Sequence, residues 1–168
     1  MKRYAYYDSP CGHMLLVADG EALCGAYFAG QKHFRHVDDH WQYDPHAAPL
    51  GQAKRELDEY FRGTRRVFSV PLCASGTPFQ QRVWRAIQSV PFGETISYAE
   101  LARRAGHPGS ARATGAATGR NPIGVIVPCH RIVGADGSLT GYAGGLAIKR
   151  LLLAVESGSP RITMHAIG

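Results

Sequence analysis

The sequence predicts an α+β fold in two parts. A small antiparallel sheet with one helix occupies residues 1–75, and a mostly helical part containing a helix-turn-helix occupies residues 76–168. Three observations carry this reading. Strand-like runs alternate with turn signals through the first 28 residues. Capping boxes and a tight Gly-containing turn mark short helices after residue 76. Between the two, Cys73-Ala74-Ser75-Gly76-Thr77-Pro78 is small, polar and rich in breakers, as a linker should be. With 45% apolar and 19% charged side chains over 168 residues, the chain can build a packed core.

Arg3 to Tyr7, Met14 to Ala18 and Ala22 to Phe28 read as strands, separated by Ser9-Pro10 and Asp19-Gly20. Leu50, Lys54, Leu57 and Phe61 share helical spacing ahead of Gly63, which predicts an amphipathic helix over 48–62. His33, His36 and His40 would share one helical face, a pattern that admits a metal site or a solvated His-rich segment. No cysteine has the spacing to complete a zinc set with them, so no metal is assigned. Thr77-Pro78-Phe79-Gln80 is a capping box with proline at N1, followed by Phe79, Val83 and Ile87 at helical spacing and a stop before Pro91. Ser97-Tyr98-Ala99-Glu100 is a second box, opening a short helix that Gly106 closes. After His107-Pro108-Gly109-Ser110 another helix runs from Ala111 to Thr118, which completes a helix-turn-helix plan. Ile123 to Val127 reads as a buried strand ended by Pro128, and Asp136-Gly137 as a hairpin turn. The last helix, from about Gly145 to Ser157, should turn Leu146, Leu152, Leu153 and Val155 inward.

Charge is divided unevenly between the two parts. Residues 1–75 carry nine basic and nine acidic side chains, whereas residues 76–168 carry ten basic and four acidic, so the whole +6 belongs to the second part. That excess suits a polyanion such as nucleic acid. No apolar run reaches the length of a membrane span and no signal peptide is visible. The cysteines at 11, 24, 73 and 129 form no C-x-x-C pair, which argues against a zinc ribbon or disulfide scaffold and for free thiols in a reducing cytoplasm.

The helix Ala111 to Thr118 offers one long side chain, Arg112, among Ala, Gly and Thr. A sequence reader in the major groove needs several long donors and acceptors. This helix suits close approach to a backbone or a narrow groove with little sequence preference, or tight packing on a neighbour. Pro128-Cys129-His130-Arg131 is the densest chemical cluster. A thiol needs a basic neighbour to become a good nucleophile, and a turn after Pro128 would bring His130 to Cys129. If Asp136-Gly137 is a two-residue loop, Tyr142 falls opposite Arg131, where its phenol could protonate a leaving group. Glu156 sits in a helix's last turn against the macrodipole, so a specific partner such as histidine would explain it.

Together these residues resemble a family. Asn121-Pro122, Pro128-Cys129-His130-Arg131-Ile132-Val133 and Gly141-Tyr142-Ala143-Gly144-Gly145 closely resemble the O6-alkylguanine-DNA alkyltransferases. Phe79-Gln80-Gln81-Arg82-Val83-Trp84, Pro91-Phe92-Gly93-Glu94-Thr95, Ser97-Tyr98 and Ala111-Arg112-Ala113 match in the expected order, so residues 77–157 are covered and the first part matches loosely.

The resemblance implies a ribonuclease-H-like N-terminal domain and a winged-helix-like C-terminal one. It implies irreversible, single-turnover transfer of an alkyl group to Cys129 from O6 of guanine, or less efficiently O4 of thymine, in double-stranded DNA bound through the minor groove. His130 would act as base through a water, oriented by Glu156, and Asn121 would brace the turn. Tyr142 would protonate the departing guanine at N3. The backbone N–H of Ala143 would face O6, and the carbonyls of Cys129 and Ile132 would receive the guanine amino group. Arg112 would fill the gap left by the flipped base and Tyr98 would help rotate its 3′ phosphate. No cofactor is implied, and a cytoplasmic monomer is expected. Alanine at 143, where some relatives carry serine, should matter little to a backbone contact, and Thr118-Gly119-Arg120 departs from several relatives. The competing readings are a lesion-binding module without chemistry, which Cys129 argues against, and a cysteine hydrolase, for which no oxyanion arrangement is evident.

Overall fold

Residues 1–32 and 36–158 are described by the computed structural model of the chain. The first three predicted runs are strands β1 (Lys2–Ser9), β2 (Gly12–Asp19) and β3 (Ala22–Phe28). β1 pairs antiparallel with β2, and β2 pairs antiparallel with β3 across a bulge at Val17/Ala18. A two-residue strand, β4 (Gln42–Tyr43), joins β1 in parallel, giving the order β3-β2-β1-β4 and an edge that is not antiparallel. Alternation sorts the two faces. Ala5, Met14, Leu16 and Phe28 point into the core, onto Leu50, Ala53, Leu57 and Tyr60 of α1 (Ala48–Phe61). Leu15, Val17 and Tyr27 form a smaller cluster on the other face with Tyr4, Cys24 and Trp41. Each fully buried Leu, Met or Phe contributes about 1.5–3 kcal/mol, so this one sheet–helix contact anchors the first part.

The second part begins with α2 (Pro78–Gln88), whose capping box is complete: the Gln80 N–H donates to Thr77 Oγ1 at 3.1 Å and the Thr77 N–H to Gln80 Oε1 at 3.0 Å. The two-residue β5 (Ile96–Ser97) leads directly into α3 (Tyr98–Arg104), and a turn leads to α4 (Ala111–Gly119). At α3 only half of the predicted box forms. Ser97 Oγ accepts the Glu100 N–H at 3.1 Å, but the Glu100 carboxylate turns to Arg103 and Arg104, at 2.6 and 2.8 Å, because ion pairs one turn away outcompete a backbone donor. Trp84 of α2 donates its Nε1–H to the Ala117 carbonyl at 2.9 Å and so pins α4 from behind. A 3-10 turn (Cys129–Arg131), β6 (Ile132–Val133), paired in parallel with β5, and α5 (Leu146–Ser157) complete the described residues.

One continuous core runs through both parts, from Ala5 to Leu152. The free edge of β3 is closed by two later segments. Leu23 pairs with residues 71–73 and Ala26 with residues 122–124, which covers a strand edge that would otherwise be open. The second pairing places the approach to Cys129 against the sheet.

Four local expectations are corrected. Residues 123–127 are buried but form a turn rather than a strand: Val127 N–H donates to Ile123 O at 3.0 Å, and only Ile123 pairs with the sheet. The turn needs Val125 at φ +68°, a costly conformation for a β-branched residue that persists because the core around it is closed. The Asp136-Gly137 turn does form, with Gly137 N–H to Gly134 O at 2.9 Å, but the hairpin does not extend, because β6 pairs with β5 instead. In α5 the buried positions are Lys149, Leu152 and Glu156; Leu146 is exposed and Leu153 only half-buried, since polar groups claim the inward stripe. His36 and His40 lie on exposed irregular chain rather than a helix, and His33 lies outside the described residues. Among the described residues no group of three or more His, Cys, Asp or Glu could hold a metal ion.

Candidate active site

Cys129 opens the 3-10 turn at the floor of a cavity of about 460 Å³. Tyr98, Gly115, Gly119, Tyr142 and Ala143 line its walls, and Lys32 reaches it from the first part. The turn is locked by Asn121. Its Nδ2 donates to Val127 O at 2.9 Å and to Cys129 Sγ at 3.3 Å, while its Oδ1 accepts the Ile123 N–H at 3.0 Å. Two glycines allow the close approaches around it. A Cβ on Gly124 would meet the Ala26 carbonyl at 3.2 Å, and one on Gly144 would meet the Tyr142 ring at 2.8 Å.

Behind the thiol lies a buried charged cluster centred on Glu156. Its carboxylate accepts from His130 Nε2 at 2.6 Å, Arg131 Nε at 2.8 Å and Nη2 at 3.0 Å, Tyr60 Oη at 2.6 Å and the Gly93 N–H at 3.3 Å. Burial pushes this carboxyl upward, but the hydrogen bonds from His130 and Arg131 outweigh it and hold it at about 2. Glu156 is therefore ionised, and the oddity of an acid at a helix C-terminus has its partners. His130 is fully buried, and that burial lowers its pKa against the pull of Glu156. A neutral imidazole donating Nε2–H to Glu156 leaves Nδ1 as an acceptor, and Nδ1 has no hydrogen-bond partner among the described residues. Burial likewise raises the Cys129 thiol, opposed by the Asn121 hydrogen bond and by Lys149. At rest the site therefore holds a protonated thiol and a neutral imidazole.

Both groups in this cluster give stability the same sign with pH. An unfolded carboxyl near 4.5 takes protons before a folded one at about 2, and an unfolded histidine near 6.5 takes them before the buried His130. Stability contributed here is full above about pH 6.5 and is lost as pH falls, first through the histidine and then through the carboxylate. Urea midpoints measured from pH 7.5 to 3.5 should fall steadily, and Glu156→Gln should flatten the acidic part of that decline.

The predicted site residues divide into those brought together and those kept apart. Cys129, His130, Glu156, Asn121 and Tyr142 converge, with the half-buried Tyr142 side chain in direct interaction with Cys129. Tyr98 lies on the cavity wall and donates to Thr140 O at 3.1 Å. Arg112 stands apart on the exposed face of α4, without a hydrogen bond or ion pair among the described residues. Ile132 is buried, and its carbonyl already accepts Lys149 Nζ at 2.6 Å. The Cys129 carbonyl accepts the Ile132 N–H, so each carbonyl offers one remaining lone pair. The Ala143 carbonyl accepts the Lys32 N–H at 3.0 Å, tying the cavity wall to the first part.

Sequence reasoning missed Arg131, Tyr60 and Lys149. Lys149 is fully buried and also donates to Thr140 O at 2.9 Å, so it fastens the loop that carries Tyr142. Its signal was present: a lysine three residues before Leu152 and seven before Glu156 breaks the apolar stripe of α5. Tyr60 gave no such signal, because its helical spacing reads as core and its hydroxyl partner is 96 residues away.

Fold and site together define a two-part α+β protein in which a helix-turn-helix stands over a buried, braced cysteine. Residues 2–74 match the family described as 6-O-methylguanine DNA methyltransferase, ribonuclease-like domain, and residues 78–158 match its DNA binding domain. The methylated-DNA–protein-cysteine methyltransferase of Methanosarcina acetivorans is 45% identical over 91% of this chain and 97% of its own length. That of Mycobacterium tuberculosis is 46% identical over 93% of each chain. The crystal structure of Mycobacterium tuberculosis OGT in complex with DNA superposes with a TM-score of 0.86 at 46% identity, covering 92% of both chains. The chain belongs to the methylated-DNA–protein-cysteine methyltransferase family. Among the described residues no helix is long and apolar enough to cross a membrane.

Proposed function

We propose that this protein repairs alkylated DNA by moving the alkyl group of O6-alkylguanine, and less efficiently of O4-alkylthymine, irreversibly onto Cys129. The reading rests on one observation: a thiol braced by Asn121 faces a cavity beside α4, with a neutral histidine held by Glu156 at its back.

The exposed side of α4 carries Arg112, Ala113 and Ala116, with Gly115 and Gly119 half-buried, while Thr114, Ala117 and Thr118 face inward. A helix this slim suits the minor groove, which is only about 6 Å wide. Arg112 would occupy the duplex when the damaged base is flipped out, and Tyr98 would turn its 3′ phosphate. Flipping costs a few kcal/mol, least for a damaged base. With so few base-reading groups, binding has weak sequence preference.

In the cavity, Sγ attacks the alkyl carbon; the S–C bond forms, the C–O6 bond breaks and its electron pair stays on guanine. The thiol proton passes through a water to His130 Nδ1 and Tyr142 donates to N3; His130 then releases its proton and the tyrosinate takes one up through solvent, so that the net proton lost by the thiol ends on guanine. The Ala143 N–H supports O6, and the free lone pairs of the Cys129 and Ile132 carbonyls receive the amino group. Residues 1–75 act as support and residues 76–168 carry binding and chemistry, in a protein that works as a cytoplasmic monomer without cofactor or metal. Incubation with duplex containing O6-methylguanine, followed by peptide mass spectrometry, should show one methyl per protein, on Cys129. Repaired DNA with an unmodified Cys129 peptide would overturn the reading.

A further inference from the structure

We propose that Cys24 and Cys73 form a thiol–disulfide site, oxidised by hydroperoxides, that covalently ties the end of the first part to strand β3. Neither residue lines the Cys129 cavity, and alkyl transfer uses neither. Their placement is set by backbone pairing. Leu23 N–H donates to Pro71 O at 2.8 Å and Cys73 N–H to Leu23 O at 2.9 Å, fixing Leu23 opposite Leu72 in parallel register. One residue further along each segment come Cys24, at the β-bulge of β3, and Cys73. Neighbouring strands lie about 4.8 Å apart, inside the range of roughly 4.4–6.8 Å between Cα atoms that a disulfide spans.

The faces agree as well. Leu23 and Leu72 pack into the core, whereas Cys24 joins the small outer cluster and Cys73 is exposed. Each thiol is among the groups that shift the other's titration, as near neighbours do. Cys11 and Cys129, by contrast, are buried. An oxidant in water therefore meets Cys73 first, and its resolving partner is already adjacent.

The chemistry balances with a hydroperoxide as co-reactant. The Cys73 thiolate attacks the peroxide; its O–O bond breaks, and Cys73 becomes a sulfenic acid while the first oxygen leaves as water or alcohol. Cys24 Sγ then attacks Cys73 Sγ, the S–S bond forms, the S–O bond breaks and water leaves with the second thiol proton. Burial raises both thiols, Cys24 to about 11, with Asp19 adding to the shift and Lys2 opposing it, so oxidation proceeds slowly at neutral pH and faster in mild alkali. Such a site is suited to a durable cross-link rather than rapid turnover. The closed loop holds β4 and α1, and the existing Leu23–Leu72 pairing means that closure constrains the unfolded chain with little change to the fold.

The test is oxidation of the intact protein with one equivalent of hydrogen peroxide, then thiol counting, peptide mapping and a melting curve. The expected result is loss of two of the four thiols, a linked Cys24–Cys73 peptide and a Tm higher by roughly 5 °C, all reversed by dithiothreitol. Cys24→Ser and Cys73→Ser should each remove both the link and the shift. Four thiols remaining, or Cys73 found in intermolecular links with Cys24 still free, would overturn the proposal.

Discussion

Cys129→Ala is expected to abolish alkyl transfer completely while leaving binding to O6-methylguanine duplex within a few-fold of the parent protein. The loss is total rather than partial because in the proposed reaction the thiol is the acceptor, not an accelerator, and among the described residues no other thiol lines the cavity. Folding should survive. The alanine removes one acceptor of the Asn121 amide, but that amide keeps the Val127 carbonyl at 2.9 Å and the Ile123 N–H still reaches Oδ1. A buried Sγ replaced by hydrogen costs about 1 kcal/mol, well inside ordinary stability. Single-turnover assays and gel shifts on the same preparation check both halves. A lesion-binding module without chemistry would behave differently: the parent protein itself would bind damaged duplex and leave it unrepaired.

Arg131→Met is expected to cost roughly 3–5 kcal/mol of stability, the range found when one partner of a buried ion pair is removed. Arg131 gives Glu156 two of its hydrogen bonds and also donates Nη1–H to Val90 O at 2.7 Å, so the substitution strips a carboxylate and a carbonyl together. The activity consequence differs in kind. Arg131 is among the charges that keep His130 from protonating; without it the imidazole beside an ionised Glu156 holds its proton to higher pH. The pH–rate profile of transfer should then shift upward, with rates recovering in alkali. A loss of stability with an unshifted profile would show that Arg131 holds the fold alone.

Much of this protein was legible because local physics wrote it into adjacent residues. The Thr77–Gln80 box, the alternation of β1 to β3 and the glycine after α3 each act within a few positions. The cluster Pro128-Cys129-His130-Arg131 was equally visible, and Glu156 stood out as an acid at the wrong helix end. What misled was pattern read without competition. Residues 123–127 are apolar enough for a strand, yet they turn at Val125 because Gly124 hooks onto Ala26 of β3. The Asp136-Gly137 turn formed while its hairpin did not, because β5 offered β6 a parallel partner from 36 residues earlier. Tyr142 still reaches Cys129, by a loop fastened to Lys149 rather than by the register the hairpin implied.

By itself the sequence determined the α+β class, the split of charge that assigns the basic excess to residues 76–168, the slim α4 with its lone Arg112, and the Cys129–His130 pair around which the site is built. These depend on residue type and short spacing, and no distant partner is needed to read them. Only the tertiary structure decided how the thiol is held and tuned. Tyr60 from α1, Gly93 from the loop after α2, and His130 and Arg131 from the 3-10 turn converge on one carboxylate of α5. Lys149 spends its charge on carbonyls of the neighbouring loop. Burying such groups is unfavourable unless every partner arrives at once, and those partners are separated by up to 96 residues of chain. Spacing along a sequence carries no record of that closure.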